Sequence, residues 1–186
     1  MDKRIIKTKE AIHKGFYDIL EKKDYDAVTI QDILNESGVS RSAFYANFKS
    51  KNEVLLSITS DIFDHVFSHK LDEEKTHDFS KSNILDYWQY IEHYLYHLSE
   101  EKELVKAILK NSCRSVFLKE TKEKIDPLSK IIIGEQGEKY EGIPMALSTD
   151  SLTETIILSS EYWLSNDCKE NPETIVTYIK TISGCK

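Results

Sequence analysis

Glycine and proline are scarce in this chain, with six and three among 186 residues. An all-β domain needs turn residues at about 8–12-residue spacing, and no alternating run bounded by turns occurs, so sandwiches and barrels are excluded. Cysteine is also sparse. Cys113, Cys168 and Cys185 are odd in number and form no C-x-x-C pair, which excludes a disulfide scaffold and points to a reducing compartment. No apolar run is long enough to span a membrane, and the N-terminus lacks the apolar stretch of a signal peptide. A cytoplasmic protein with no membrane partner is expected. No Gly-rich phosphate loop, H-E-x-x-H, G-x-S-x-G or Cys/His nucleophile pattern appears, so neither an enzyme nor a cofactor is expected.

Positive charge is not in excess either. The net charge is −7, which for the whole chain argues against nucleic acid. The distribution alters that reading. Residues 1–57 hold 10 Lys+Arg against 9 Asp+Glu, and residues 58–186 hold 15 against 23. Phosphate neutralisation is local, so a near-neutral segment can bind DNA if its cations share one face.

What is present is helical patterning, and the fold class expected is all-α. Ile5, Ile12, Phe16 and Ile19 form one stripe over residues 4–22. "KKDYDAV" interrupts it. Thr29 opens a second helix with Asp32 at the capping-box position, Ile30, Ile33 and Leu34 facing inward, and Gly38 as its stop. Ser40 caps a short third helix to about residue 47, with Phe44 and Phe48 inward. Ser50 and Glu53 form a capping box for a fourth, reaching about Leu71. "DEEKTHDFSK" reads as a polar linker. Further helices are expected over 82–98, 101–111 and from about 114, the last broken or kinked at Pro127. "GEQGEKYEGIP", 134–144, reads as a loop. Ser151 and Glu154 cap a helix to about Asn166, and Asn171 with Pro172 starts the last one, which ends before Gly184. The division expected is residues 1–50 and 51–186.

A helix, a tight glycine turn and a short helix form the arrangement whose second helix enters the major groove of DNA. Ile33, Val39, Phe44 and Phe48 set the angle of the pair. Small residues at Ser42, Ala43 and Ala46 let the short helix approach the groove floor. Arg41 suits guanine N7 and O6, and Gln31 an adenine edge or a phosphate. Tyr45, Asn47, Lys51 and Thr29 suit phosphate oxygens. By periodicity alone, an ordinary helix pair is an equal alternative.

The residues themselves decide more. Thr29, Ile30, Ile33, Gly38, Val39, Ser40, Phe44, Tyr45, Phe48, Lys51 and Leu55, at the spacing they have here, closely resemble the N-terminal signature of TetR/AcrR-family transcriptional regulators. With the first helix, the resemblance covers residues 4–57. Beyond it only the layout is similar, a helical bundle ending in two long helices. The resemblance implies an N-terminal three-helix DNA-binding domain and a C-terminal helical bundle for ligand binding and dimerisation. It also implies a homodimer, a double-stranded DNA operator and a small-molecule effector. Carried over, phosphate contacts fall on Thr29, Tyr45, Asn47 and Lys51, and base contacts on Gln31, Arg41, Ser42 and Ala43. Ser42 and Asn47 depart from the residues frequent there, which bears on the operator sequence. Leu34 and Ser37 stand where the family usually has alanine.

In that reading the last two helices pair with their copies, and Ile156, Trp163, Ile175, Ile179 and Ile182 line the dimer interface. An intramolecular core is the alternative for these residues. The aromatic-rich region suggests a ligand pocket lined by Ile62, Val66, Trp88, Tyr94 and Phe117, against the alternative of an ordinary aromatic core. Five of six histidines lie between 65 and 97. His65/His69 and His93/His97 are i,i+4 pairs with metal-chelating spacing. No cysteine–histidine motif accompanies them, so no metal is assigned.

Overall fold

The computed structural model describes residues 3–67, 86–136 and 140–185. Every regular element among them is helical: α1 (Lys3–Leu20), a 3-10 turn (Tyr25–Ala27), α2 (Ile30–Ser37), α3 (Arg41–Tyr45), α4 (Lys51–Phe67), α5 (Tyr87–Glu100), α6 (Lys102–Leu109), α7 (Arg114–Glu135), α8 (Met145–Ser165) and α9 (Pro172–Ser183). The all-α expectation is met.

The chain forms two compact units. One holds residues 1–61 with Glu103–Phe117; the other holds Ile62–Lys102 and Leu118–Lys186. The first unit therefore extends past residue 50 and recruits a later segment. Hydrogen bonds explain the recruitment. The Asn111 amide oxygen accepts the Tyr25 N–H at 2.6 Å, and its nitrogen donates to the Leu20 carbonyl at 3.2 Å. The Ser112 hydroxyl and N–H both donate to the Asp24 carboxylate. These bonds satisfy the backbone between α1 and the 3-10 turn, where no helical partner exists.

The core of the first unit is the inward stripe of its helices. Ile12, Phe16, Ile33, Phe44, Val54 and Leu55 are fully buried. Each such side chain contributes about 1.5–3 kcal/mol of burial. Ile5 does not join them. It is 41% exposed, because residues 3–7 are all solvent-facing and the buried stripe of α1 begins at Ile12. Gly15 sits where α1 meets the end of α2. A Cβ there would lie 2.8 Å from the Ser37 backbone nitrogen, so only glycine permits this approach.

In the second unit, α5 supplies Ile91, Tyr94, Leu95 and Leu98 to the core. Helix α8 buries serines and threonines beside Leu152, Ile156, Trp163 and Leu164, so it packs close against its neighbours. Phe63 stacks on Tyr94 at 5.1 Å between centroids. The Trp163 indole donates to the Glu170 carbonyl at 2.9 Å, fixing the turn into α9. That helix has Asn171 as cap, Pro172 in its first turn and Gly184 in the left-handed conformation, as the sequence predicts.

Three expectations about elements need correction. Helix α8 starts at Met145, not Ser151, since Pro144 already holds φ at −54° and opens the helix without a side-chain cap. Helix α7 runs through Pro127 to Glu135, so Gly134 is helical instead of part of a loop. One missing N–H did not end a helix held by buried Ile125, Leu128, Ile132 and Ile133. Glu53 accepts the Lys49 N–H at 2.7 Å, while Ser50 accepts the Glu53 N–H at 3.2 Å. The expected box at α4 is thus displaced by one residue on its return bond.

Candidate nucleic-acid interface

The site is built from two capped helix starts and the turn between them. Thr29 accepts the Asp32 N–H, and the Asp32 carboxylate accepts the Thr29 N–H at 2.8 Å, so the capping box is complete with aspartate. Lys23 donates to the same carboxylate at 2.5 Å. The Lys23 bond first, and the Thr29 hydroxyl second, hold the Asp32 carboxyl far below the usual carboxylate range. Gly38 then takes φ +66° and returns its N–H to the Leu34 carbonyl at 3.0 Å. Ser40 caps α3 by accepting the Ala43 N–H at 3.2 Å.

Behind α3, Phe44 and Phe48 are buried with ring centroids 6.0 Å apart. This anchors one face, and the other is presented. Arg41 and Ser42 are exposed, and Ala43 is half-buried. The Arg41 guanidinium donates to the Gln31 amide oxygen at 2.8 Å, and the Gln31 amide nitrogen donates to Asn35 at 2.8 Å. Two of the four residues expected to read bases are thus joined by a hydrogen bond that bridges α2 and α3. Tyr45 is 49% exposed and meets Phe44 edge-on at 5.5 Å. Asn47 is half-buried, and its amide nitrogen donates to the Ala43 carbonyl at 2.8 Å.

Lys51 behaves differently from a phosphate-reaching lysine. Its ammonium donates to the carbonyls of Tyr25, Val28 and Asp26 at 2.8, 2.9 and 3.3 Å and lies 4.4 Å from the Tyr25 ring centroid. All three donors are directed at the segment that precedes Thr29. In this state Lys51 positions the start of α2.

Sequence reasoning passed over three contributors: Gly15, Lys23 and Asn111. A lone glycine inside an amphipathic helix was the available signal for the first. Nothing in the sequence marks Asn111, which lies 86 residues from its partner Tyr25.

Residues 17–58 match the family model described as bacterial regulatory proteins, tetR family. Residues 86–184 match a second one, the transcriptional regulator C-terminal region. This chain belongs to the tetR family. A curated relative, the uncharacterized HTH-type transcriptional regulator YxbF of Bacillus subtilis (strain 168), is 38% identical over 71 residues. Those residues are 36% of this chain and only 19% of that relative. Over nearly the whole chain, the crystal structure of a TetR transcriptional regulator from Streptococcus agalactiae 2603V superposes with a TM-score of 0.65 at 25% identity, covering 98% of this chain and 96% of that one. RolR in complex with resorcinol shares the fold at a TM-score of 0.53 and 14% identity, covering 100% of this chain and 92% of RolR. The family, YxbF and the Streptococcus agalactiae protein are transcriptional regulators, not enzymes.

The remaining expected sites of this tetR-family chain fall in three groups. Ile156, Trp163, Ile175 and Ile179 are at most 1% exposed within a single chain. A residue spent on the intrachain core offers no surface to a second copy, so these four are core. Ile182 alone of the expected interface set is exposed, at 68%, and the same helices also present Leu158, Tyr162 and Tyr178. Ile62, Val66 and Tyr94 are buried in the second unit, and Phe117 is buried in the first. Trp88 is half-buried with the Lys180 ammonium 4.9 Å from its ring centroid. The His93 and His97 Nε2 atoms face each other at 2.9 Å, and His97 Nδ1 lies 2.9 Å from Glu100. The His65 side chain and His69 lie outside the described residues. No group of three or more potential metal ligands occurs among the described residues. No helix among them is long and apolar enough to cross a membrane.

Proposed function

We propose that this chain is a cytoplasmic, homodimeric, ligand-responsive transcriptional repressor that binds a palindromic operator through α3. The observation that carries this reading is the exposed Arg41–Gln31–Asn35 chain, mounted across two capped helix starts with Phe44 and Phe48 buried behind it. Arg41 and Gln31 read base edges, with Ser42 and Ala43 allowing close approach. Thr29, Tyr45 and Asn47 hold phosphates, and Lys51 sets the start of α2 that carries Thr29.

Leu158 and Tyr162 on α8, and Tyr178 and Ile182 on α9, are i,i+4 pairs of exposed apolar residues. They support a four-helix contact with a second copy, and a palindromic operator needs two heads, for half-sites about 34–36 Å apart. An effector acts by differential affinity for the DNA-competent state. RolR's resorcinol complex is consistent with a small-molecule effector in this fold.

The test is selection of sheared genomic DNA by the purified protein at two salt concentrations, with light scattering on the same sample. A recovered near-palindrome with steep salt dependence and a dimeric mass are expected, and Ile182→Asp should yield monomer. No enriched sequence at either salt would sink the operator reading. A monomer that still selects DNA would favour the second reading, in which the apolar stripe of α8 and α9 takes a protein partner and the chain acts as a co-regulator or activator.

A further inference from the structure

Where α7 ends and α8 begins, the second unit carries a cleft of about 370 Å³. Small-molecule sites span about 300–1,000 Å³ and are mainly apolar with a few polar groups. Ile133, Ile143 and Met145 line this one, and the last two are 45% and 47% exposed. Tyr140 forms a held wall, since its hydroxyl donates to the Ser183 carbonyl at 2.9 Å and lies 3.4 Å from Cys185 Sγ. A wall fixed before binding lowers the ordering cost of a ligand.

Two features point to a ligand. Gly134 lines the cleft from within α7, where glycine weakens the helix. Its φ is not positive, and a Cβ added there would meet nothing within 4 Å. Neither backbone conformation nor close packing requires glycine at this position; its effect is to leave the cleft wall bare. Ser148 also lines the cleft, is 4% exposed, and its hydroxyl has no hydrogen-bond partner among the described residues. A buried hydroxyl without a partner is costly. A serine side chain turns between staggered wells, so a polar group entering the cleft can satisfy it. Glu141, also on the lining and exposed, disfavours an anion.

We propose that this cleft binds a small amphiphile with an apolar body of one or two ring systems, uncharged or cationic, and one hydrogen-bonding group directed at Ser148. The site stands independently of the DNA reading, because it can be measured on the protein alone.

The probe is N-phenylnaphthylamine, a neutral amine joining two ring systems, a naphthyl and a phenyl, that fluoresces on leaving water, titrated into the full chain. Saturable binding at one equivalent is expected. Gly134→Leu should weaken it at least about tenfold by occupying the cleft, while retaining the helical circular dichroism of the parent. Ser148→Ala should weaken it about three- to tenfold, the range one hydrogen bond supplies. The sulfonated analogue, anilinonaphthalene sulfonate, should bind more weakly than the neutral dye, and Glu141→Gln should narrow that gap. No saturable binding by the parent chain, or binding equally tight in folded Gly134→Leu and Ser148→Ala, would overturn the proposal. Operator retention measured beside the titration reads the DNA proposal separately, so either can fail without the other.

Discussion

The two compact units hold their polar side chains in opposite ways. In the first, polar groups do structural work at the surface. Lys51 gathers three carbonyls, Asp32 joins Lys23 to Thr29, and Asn111 with Ser112 clasps the end of α1. In the second, serines and threonines are buried within α8, and apolar residues stand outside: Leu158 at 67% and Ile182 at 68% exposure. The first is cross-linked to present a fixed polar face. The second is packed inside and, among the described residues, leaves Leu158, Tyr162, Tyr178 and Ile182 exposed. These are the different needs of the reader and of the proposed subunit contact.

The largest expected effect breaks the head at its tightest point. Gly15→Val places a branched side chain against the Ser37 backbone, where even a Cβ is 2.8 Å from nitrogen. A loss of about 3 kcal/mol is expected, with α1 pushed off α2. Urea unfolding measures the first, and failure to retain DNA that the parent chain retains measures the second. A variant as stable as the parent would mean the helices can slide apart at little cost.

Protonation gives the next effect. His13 accepts or donates at 2.7 Å with the Ser57 hydroxyl, and its pKa is lowered from 6.5 to about 4 by burial first and by Lys9 second. The Asp61 carboxylate 3.7 Å from Nδ1, 58% exposed, does not offset the burial. A histidine with a depressed folded pKa contributes fully above 6.5 and loses that contribution as pH falls from 6.5 toward 4. At pH 5 the loss is about 2 kcal/mol. Urea midpoints at pH 7 and pH 5 should differ by that much more in the parent than in His13→Gln. Equal differences would place the acid sensitivity elsewhere.

Arg41→Ala tests the presented face instead of its support. Stability should change little, because its bond to Gln31 is exposed. Base discrimination at one operator position should fall by about 1–3 kcal/mol. An unchanged preferred sequence in a repeated DNA selection would remove α3 from the groove.

The head was largely legible in the sequence, because its geometry is set by local rules. Thr29, Gly38 and Ser40 announce caps and a stop within a few residues of where they act, and the structure shows each doing so. The carbonyl partners of Lys51, Tyr25 to Val28, were not legible, because they come within reach only once the chain has turned back. The interface residues were harder. Periodicity places Ile156, Trp163, Ile175 and Ile182 all on apolar stripes of long helices. Only tertiary packing decides which residues are buried in the same chain, and that put Ile156, Trp163 and Ile175 inside and Ile182 outside. Pro127 and Gly134 taught a related lesson. Both are local breakers, and both were overridden by the buried apolar face of α7.

The smallest effect sharpens the comparison most, because it makes one substitution in both units. Gly15→Ala and Gly134→Ala each replace a helical glycine, and each should gain about 0.5–1 kcal/mol from helix propensity. In the head that gain is outweighed, since the added methyl meets Ser37 nitrogen, Cα and Cβ at 2.8–2.9 Å. The backbone atoms among these cannot rotate away. In the second unit the methyl meets nothing within 4 Å, so the propensity gain remains. The two variants should therefore shift the melting temperature in opposite directions, Gly15→Ala down and Gly134→Ala up by a few degrees. If both rise, α1 and α2 can separate without loss, and the head is less tightly built than its hydrogen bonds imply. If both fall, Gly134 has a structural duty in α7 that its open surroundings do not reveal, and its role in keeping the cleft wall bare would lose its support.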